Sequence, residues 1–143
     1  PPVLDGGPCR VGIESTVVFV DESGWQILRP GHWTAEALTR VAGSPPRAGS
    51  AATPRAPGQL ASHYAPRTPL RLFVSRAELE AAASAGDALL TLPADPDTAA
   101  TALYDMLHRL DATAPHRILT QLPPDTAEWA AVRDRLTRAA TRP

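Results

Sequence analysis

Two parts of the chain carry regular patterns of hydrophobic and polar residues, and the first of them spans residues 1–43. In it, a β-branched run at 16–20 and an apolar run at 25–28 flank four turn-forming residues, which predicts a β-hairpin. Thr34 stands where it can cap a following helix, and Gly43 stands where that helix can end. The pattern therefore predicts two antiparallel strands followed by one helix.

The second patterned part, residues 70–143, alternates strand and helix signals. Ser75 and Glu78 have the spacing of a capping box, and Asp95 followed by Pro96 predicts the start of another helix. Strict alternation favours parallel βαβ units, so this part predicts a small Rossmann-like α/β domain with a parallel sheet. The predicted strands are 70–74, 88–92 and 117–120. The first predicted helix runs to Gly86, and a cap at 125–128 begins the last helix. The helical residues predicted to face the core are Leu103, Met106, Leu107, Leu110, Trp129, Val132 and Leu136.

Between these parts, residues 44–69 consist mainly of Ser, Pro, Ala, Gly and Arg. The stretch has almost no large apolar side chain before Leu60, so it cannot bury enough surface to form a core of its own. The composition predicts a linker, or a long loop that lies on another surface.

Composition narrows the classes of function. The 143 residues have 43% hydrophobic residues, enough for a packed core, and a formal charge of −1, which does not indicate a strong nucleic-acid binder. Cys9 is the only cysteine, so the chain can form no internal disulfide, and a single thiol is compatible with a cytoplasmic location. No apolar run approaches the ~20 residues that span a bilayer. The first residues resemble neither a signal peptide nor a natural start, and we expect a cut or processed end.

Three segments contain candidate binding residues, and the first runs from Asp5 to Thr16. Its glycines allow a ligand to approach the backbone closely, and Ser15 and Thr16 present hydroxyl groups where a strand begins. Such a loop can hold a carboxylate, an amino group or a phosphate. The alternative is a glycine-rich turn in which Ser15 only caps the strand.

The other two segments are a strand end and part of the linker. Arg29, followed by a Pro-Gly turn, can direct its planar guanidinium at a phosphate, although a solvated arginine is the alternative. His63 and Tyr64 lie in a stretch with few packing duties, where they could contact a phosphate and a base. The alternative is a linker that docks its aromatic residue on a neighbouring domain.

The remaining polar residues give weaker signals. Three histidines are scattered without carboxylates at ligand spacing, and Cys9 has no histidine near it in sequence, which argues against a metal site and a thiol nucleophile. Three arginines of the last helix are interpreted as a solvated face. The residues in question are His32, His108, His116, Arg133, Arg135 and Arg138.

Together these motifs resemble the threonylcarbamoyl-AMP synthases in which an accessory domain follows a YrdC-type catalytic domain. The segment from Asp5 to Val17 resembles the family's Asp-Gly-Gly…Gly-Ile-Glu-Ser-Thr-Val motif, and Leu28 to Gly31 resembles its Leu-Arg-Pro-Gly turn. Residues 57–66 resemble its Pro-Gly…His-Tyr-Ala-Pro linker. Four short sequence motifs are similar to those of the family's accessory domain: Ala102-Leu103-Tyr104, Leu110-Asp111, Arg135-Leu136 and Ala139-Ala140.

The resemblance implies a remnant of the YrdC-like α/β catalytic domain at 1–43, a linker or lid at 44–69 and the accessory α/β domain at 70–143. It also implies a likeness to the double-stranded RNA-binding domain family. The implied reaction joins L-threonine, bicarbonate and ATP, with Mg²⁺, into threonylcarbamoyl-AMP for tRNA modification. Ser15 would bind L-threonine, and Arg29, His63 and Tyr64 would bind ATP, while no residue is assigned a catalytic or metal-binding role.

The family's other binding motifs precede its Asp-Gly-Gly segment, so we expect the chain alone to be inactive. A downstream tRNA-modifying complex is a further implied partner. Two alternatives stay open at this point: a non-enzymatic α/β interaction or regulatory module, and a carbamoyltransferase that forms carbamoyl-adenylate. The linker followed by this kind of α/β domain favours the threonine enzyme.

Overall fold

The computed structural model describes residues 2–7, 11–49 and 65–141. The elements, in chain order, are strands β1 (Val17–Asp21) and β2 (Gly24–Arg29), helix α1 (Ala35–Ala42), strand β3 (Leu70–Phe73), helix α2 (Arg76–Ala82), strand β4 (Ala88–Leu89), helix α3 (Pro96–Ala112), strand β5 (Ile118–Gln121), a 3₁₀ turn (Ala127–Trp129) and helix α4 (Ala130–Ala140). Within the described residues, no helix has the length and apolar character that crossing a membrane requires.

The predicted hairpin and the helix after it are confirmed. β1 and β2 pair antiparallel with Asp21 opposite Gly24, and Asp21 Oδ1 accepts hydrogen bonds from the Ser23 amide at 2.9 Å and hydroxyl at 2.7 Å, which closes the turn. Thr34 caps α1 by accepting from the Ala37 amide at 3.3 Å. Gly43 ends α1 in the left-handed conformation, at a φ of 73°.

The predicted parallel α/β domain is also confirmed. β5 lies between β3 and β4, and it pairs in parallel with both strands. The last strand in the chain is therefore the central strand of the sheet. The alternation of strands and helices in the sequence does not specify this strand order. The buried core is formed by side chains of the sheet, of α3, of the 3₁₀ turn and of α4, including Leu70, Leu103, Leu107, Ile118, Trp129, Val132 and Leu136.

Three predicted boundaries differ from the structure. α2 ends at Ala82 because Ser84 turns to donate its amide and hydroxyl to Asp87 Oδ2, at 3.0 and 2.9 Å. β4 is two residues long: the Leu90 amide still donates to the Leu119 carbonyl at 2.9 Å, but the Leu90 carbonyl accepts from the Thr120 hydroxyl at 2.8 Å. The predicted side-chain cap at 125–128 is wrong, since a 3₁₀ turn without such a hydrogen bond precedes α4.

Asp111 fixes the chain where it enters the sheet domain. Its carboxylate accepts from the amides of Arg67 at 3.2 Å and Thr68 at 2.8 Å, just before β3 begins. Burial works to raise the pKa of Asp111, but the hydrogen bonds from Thr68 and Arg67 outweigh this effect and leave the pKa below its usual value. The end of the predicted linker is therefore tied to the end of α3.

Candidate functional site

The first two candidate segments meet at one corner of the hairpin. A Cβ atom added to Gly31 would lie 2.3 Å from the Thr16 nitrogen and 2.6 Å from the Ser15 carbonyl carbon. The turn after β2 therefore packs directly on the backbone that leads into β1, an approach that only glycine permits. The structure thus brings together two motifs that are separated by more than ten residues in the sequence.

Arg29 and Thr16 hold the backbone of this corner. The Arg29 side chain is buried, and its Nε and Nη2 donate to the Ser15 carbonyl at 3.3 and 3.1 Å. Thr16 Oγ1 accepts from the Trp33 amide at 3.1 Å and donates to the Trp33 carbonyl at 3.0 Å. Ser15 itself is exposed, on a backbone that is fixed by these contacts.

Glu14 connects this corner to the sheet domain, a contact that the sequence analysis missed. Its Oε2 accepts from the Tyr104 hydroxyl of α3 at 3.1 Å and from Arg135 Nε of α4 at 2.8 Å. Arg135 also donates through Nη1 to Asp134 Oδ2 at 2.6 Å. The carboxylate next to Ser15 is therefore held by side chains that lie 90 and 121 positions away in sequence.

The interpretation of the last helix as a solvated arginine face is wrong. The Arg135 side chain is 2% exposed, and those of Arg133 and Arg138 are 27% and 20% exposed. Arg133 donates to the Pro123 carbonyl, and Arg138 pairs with Asp134. Arg133 and Arg135 find their partners through the tertiary fold, whereas the pair of Arg138 with Asp134 has the i, i+4 spacing of a helix and was visible in the sequence.

The electrostatics of Arg135 follow from these partners. Burial works to lower the pKa of the guanidinium, but the carboxylates of Glu14 and Asp134 outweigh this effect and raise the pKa further above its usual value. Arg135 therefore stays charged in an environment with little water. The sequence does contain a signal for the contact between Glu14 and Arg135, because Glu14, Tyr104 and Arg135 all lie within the motifs that carry the family resemblance.

Apolar contacts reinforce the same connection. Ile13 is buried and belongs to the core cluster of the sheet domain. A Cβ atom on Gly12 would lie 2.3 Å from the Thr101 carbonyl oxygen of α3, so the two backbones are in direct contact. On the other side of the corner, His32 Nδ1 lies 3.6 Å from Asp97 Oδ1, also on α3. The segment before Ser15 is thus packed against the helices of the sheet domain.

The remaining candidates are His63, Tyr64, Cys9, His108 and His116. His63 and Tyr64 lie outside the described residues, as does Cys9. His108 and His116 are exposed, and across the described parts of the chain no three His, Cys, Asp or Glu side chains converge as a metal site would need. A separate crevice of about 330 Å³ lies at the ends of β4 and β5 and is lined mostly by apolar residues.

Comparisons with known proteins agree with this picture. The family model for the threonylcarbamoyl-AMP synthase C-terminal domain matches residues 33–141. The threonylcarbamoyl-AMP synthase of Bacillus subtilis is 29% identical over 166 aligned positions, which cover 96% of this chain and 48% of that protein. The protein of the same name from Pyrococcus abyssi is 41% identical over 69 positions, which cover 45% of this chain and 20% of that protein.

A solved structure extends the likeness to the fold. The structure of P. abyssi Sua5 complexed with L-threonine superposes with a TM-score of 0.75 at 26% identity, and the match covers 95% of this chain and 48% of that one. This chain therefore spans about half the length of the Bacillus relative and of the solved Pyrococcus structure. Since the family model covers more than half of the chain, the resemblance seen in the motifs is confirmed, and the chain belongs to the family of threonylcarbamoyl-AMP synthase C-terminal domains.

Proposed function

We propose that this chain is part of an L-threonylcarbamoyladenylate synthase, which converts L-threonine, bicarbonate and ATP into threonylcarbamoyl-AMP and pyrophosphate. The product serves the N6-threonylcarbamoyladenosine modification of tRNA, in the cytoplasm and with a downstream tRNA-modifying complex as partner. One observation carries the proposal: an exposed Ser15 is fixed by the buried Arg29 and by Gly31, in a chain related to proteins named for this reaction.

Ser15 is assigned to L-threonine. A hydroxyl group can accept a hydrogen bond from the ammonium group of an amino acid or donate one to its carboxylate. The contacts of Arg29, Gly31 and Thr16 hold the Ser15 backbone before any ligand arrives. The backbone therefore loses little conformational entropy when the ligand binds. L-threonine is the ligand named for the related Pyrococcus structure, which supports this choice of substrate.

Arg29, His63 and Tyr64 are assigned to ATP. The buried guanidinium of Arg29 orients Ser15, and its positive charge in a site with little water favours phosphate groups nearby. His63 and Tyr64 would close over the nucleotide from the linker. The donor set of the described residues does not fit a magnesium site, since Glu14 is bound to Arg135 and Tyr104. Mg²⁺ is therefore proposed to arrive with the ATP phosphates.

An exposed apolar groove supports the division into domains. Val18 and Val20 of β1 are 42% and 68% exposed, and Val41 of α1 is 88% exposed. Together with neighbouring residues they line a groove of about 360 Å³. A surface of this kind is typical of one that packs against another part of a protein. We propose that residues 1–43 belong to a YrdC-like catalytic domain whose other part covers this groove, with a linker at 44–69 and the accessory domain at 70–143.

The reaction is tested on the full-length protein that contains this chain. We expect pyrophosphate release that requires ATP, bicarbonate and L-threonine together. Ser15→Ala should raise the KM for L-threonine about tenfold or more, because a hydrogen bond to a charged group contributes about 1.5–3 kcal/mol. The melting temperature should not change, since Ser15 is exposed. Thr126→Ala is the matched control, since Thr126 is also exposed and its side chain makes no capping hydrogen bond to the 3₁₀ turn.

The outcomes separate the alternatives. Release of pyrophosphate that depends on carbamoyl phosphate instead of threonine would establish the carbamoyltransferase. The absence of any response to ATP would establish the non-enzymatic module. An unchanged KM in the Ser15→Ala variant of an active enzyme would remove Ser15 from the threonine site.

A further inference from the structure

We propose that Tyr104 and Arg135, on the helices of the sheet domain, are positioning residues for the binding of L-threonine by Ser15. This inference rests on the proposed function, and it gives the sheet domain a part in substrate binding through its contacts to Glu14. The route is short: both side chains hold the carboxylate of Glu14, and Glu14 is bonded directly to Ser15.

The contacts to Glu14 are specific in geometry. The Tyr104 hydroxyl and Arg135 Nε donate to the same carboxylate oxygen, at 3.1 and 2.8 Å. Arg135 is kept in place by its second bond, from Nη1 to Asp134 Oδ2 at 2.6 Å. Two donors from two helices therefore define where the Glu14 carboxylate lies, and charge-assisted hydrogen bonds of this kind are the stronger ones.

The Ser15 backbone is consequently held by two separate sets of contacts. On one side, Glu14 and the buried Ile13 attach it to the sheet domain. On the other side, Arg29 donates two hydrogen bonds to its carbonyl. Loss of the first attachment leaves the second intact, so the corner should loosen without coming apart. A looser backbone places the serine hydroxyl less accurately, and this lowers affinity for threonine more than it affects other steps.

The expected effect is a change in threonine recognition alone. In the full-length protein, Tyr104→Phe removes one hydrogen bond and keeps the aromatic ring. It should raise the KM for L-threonine about threefold to tenfold, with kcat changed less than about twofold and the KM for ATP unchanged. Glu14→Gln should have a similar effect. The double variant should be no worse than the more affected single variant, because both changes act through one contact.

Controls separate positioning from general stability. Arg109→Gln on α3 removes an exposed pair with Asp105 and should leave every kinetic constant unchanged. Arg135→Lys keeps a positive charge beside Glu14, and it should retain more threonine affinity than Arg135→Gln. Thermal unfolding and calorimetric binding of L-threonine are measured for each variant, so that a loss of folded protein is not mistaken for a loss of affinity.

Three results would overturn the inference. If the wild-type enzyme responds to threonine and Tyr104→Phe leaves its KM unchanged, the contact is structural only, and the proposed function stands. The same conclusion follows if the variant alters the KM for threonine and ATP equally. If the wild-type enzyme shows no response to threonine, the proposed function fails, and this inference fails with it.

Discussion

Replacement of Arg135 by Gln is expected to lower the free energy of unfolding by about 3 kcal/mol. Removing one partner of a buried ion pair typically costs about 3–5 kcal/mol, because the remaining charge is left without compensation. The low end applies because the carboxylates of Glu14 and Asp134 are 23% and 17% exposed and keep some contact with water. Urea unfolding followed by circular dichroism measures the change.

The control for this experiment is the exposed pair on α3. Arg109 and Asp105 are 78% and 60% exposed, so Arg109→Gln should change the stability by less than about 0.5 kcal/mol. The comparison is matched, since both arginines lie on helices of the sheet domain and each substitution removes an ion pair. Equal effects of the two substitutions would show that Arg135 is not a buried structural charge.

Replacement of Gly31 by Ala is expected to destabilise the protein by about 1–3 kcal/mol and to reduce threonine-dependent activity by more than about tenfold. The added carbon would lie 2.3 Å from the Thr16 nitrogen, 2.6 Å from the Ser15 carbonyl carbon and 2.8 Å from the Glu14 carbonyl oxygen. All three are backbone atoms, which cannot turn aside as a flexible side chain can. The turn after β2 must therefore separate from the segment that carries Ser15.

Gly49 provides the comparison for Gly31. A Cβ atom on Gly49 would meet no heavy atom of the described residues within 4 Å, so Gly49→Ala should change stability by less than about 0.5 kcal/mol and leave activity unchanged. Neither glycine has a positive φ, so both substitutions test close approach and not backbone strain. Thermal unfolding and the pyrophosphate assay are measured on both variants. Wild-type activity in Gly31→Ala would show that contact between the two segments is not required.

Local elements were predictable from the sequence because their determinants are local. The hairpin follows from β-branched residues on both sides of a turn that Asp21 closes, and the start of α2 follows from the capping box of Ser75 and Glu78. The core stripe of α3 follows from helical spacing, with Leu103 and Leu107 almost fully buried. Each of these signals lies within a few residues of the structure that it predicts.

Features that depend on distant partners were not predictable in the same way. The central position of β5 depends on how the two crossover connections pack, and the hydrophobic pattern of the β5 residues does not reveal that position. The burial of Arg135 depends on Glu14, which is 121 positions away, so helical spacing alone misplaced this side chain in solvent. In the candidate site, the motifs identified Ser15 and Arg29, but only the fold shows that Arg29 holds the Ser15 carbonyl.

The sheet domain is therefore attached to the candidate site at several points. Glu14 and Ile13 attach the segment before Ser15, and Asp111 fixes the chain as it returns from the linker. Through these attachments, a domain without a described catalytic cluster would influence the threonine binding that we propose. The role that we propose for it is to hold the Ser15 corner in one position.

The most direct test is a crystal structure of the full-length protein bound to L-threonine. We predict that the Ser15 hydroxyl lies within about 2.5–3.2 Å of a polar atom of the ligand, with Glu14 still bound to Tyr104 and Arg135. Threonine bound away from Ser15, for example in the crevice at the ends of β4 and β5, would contradict it.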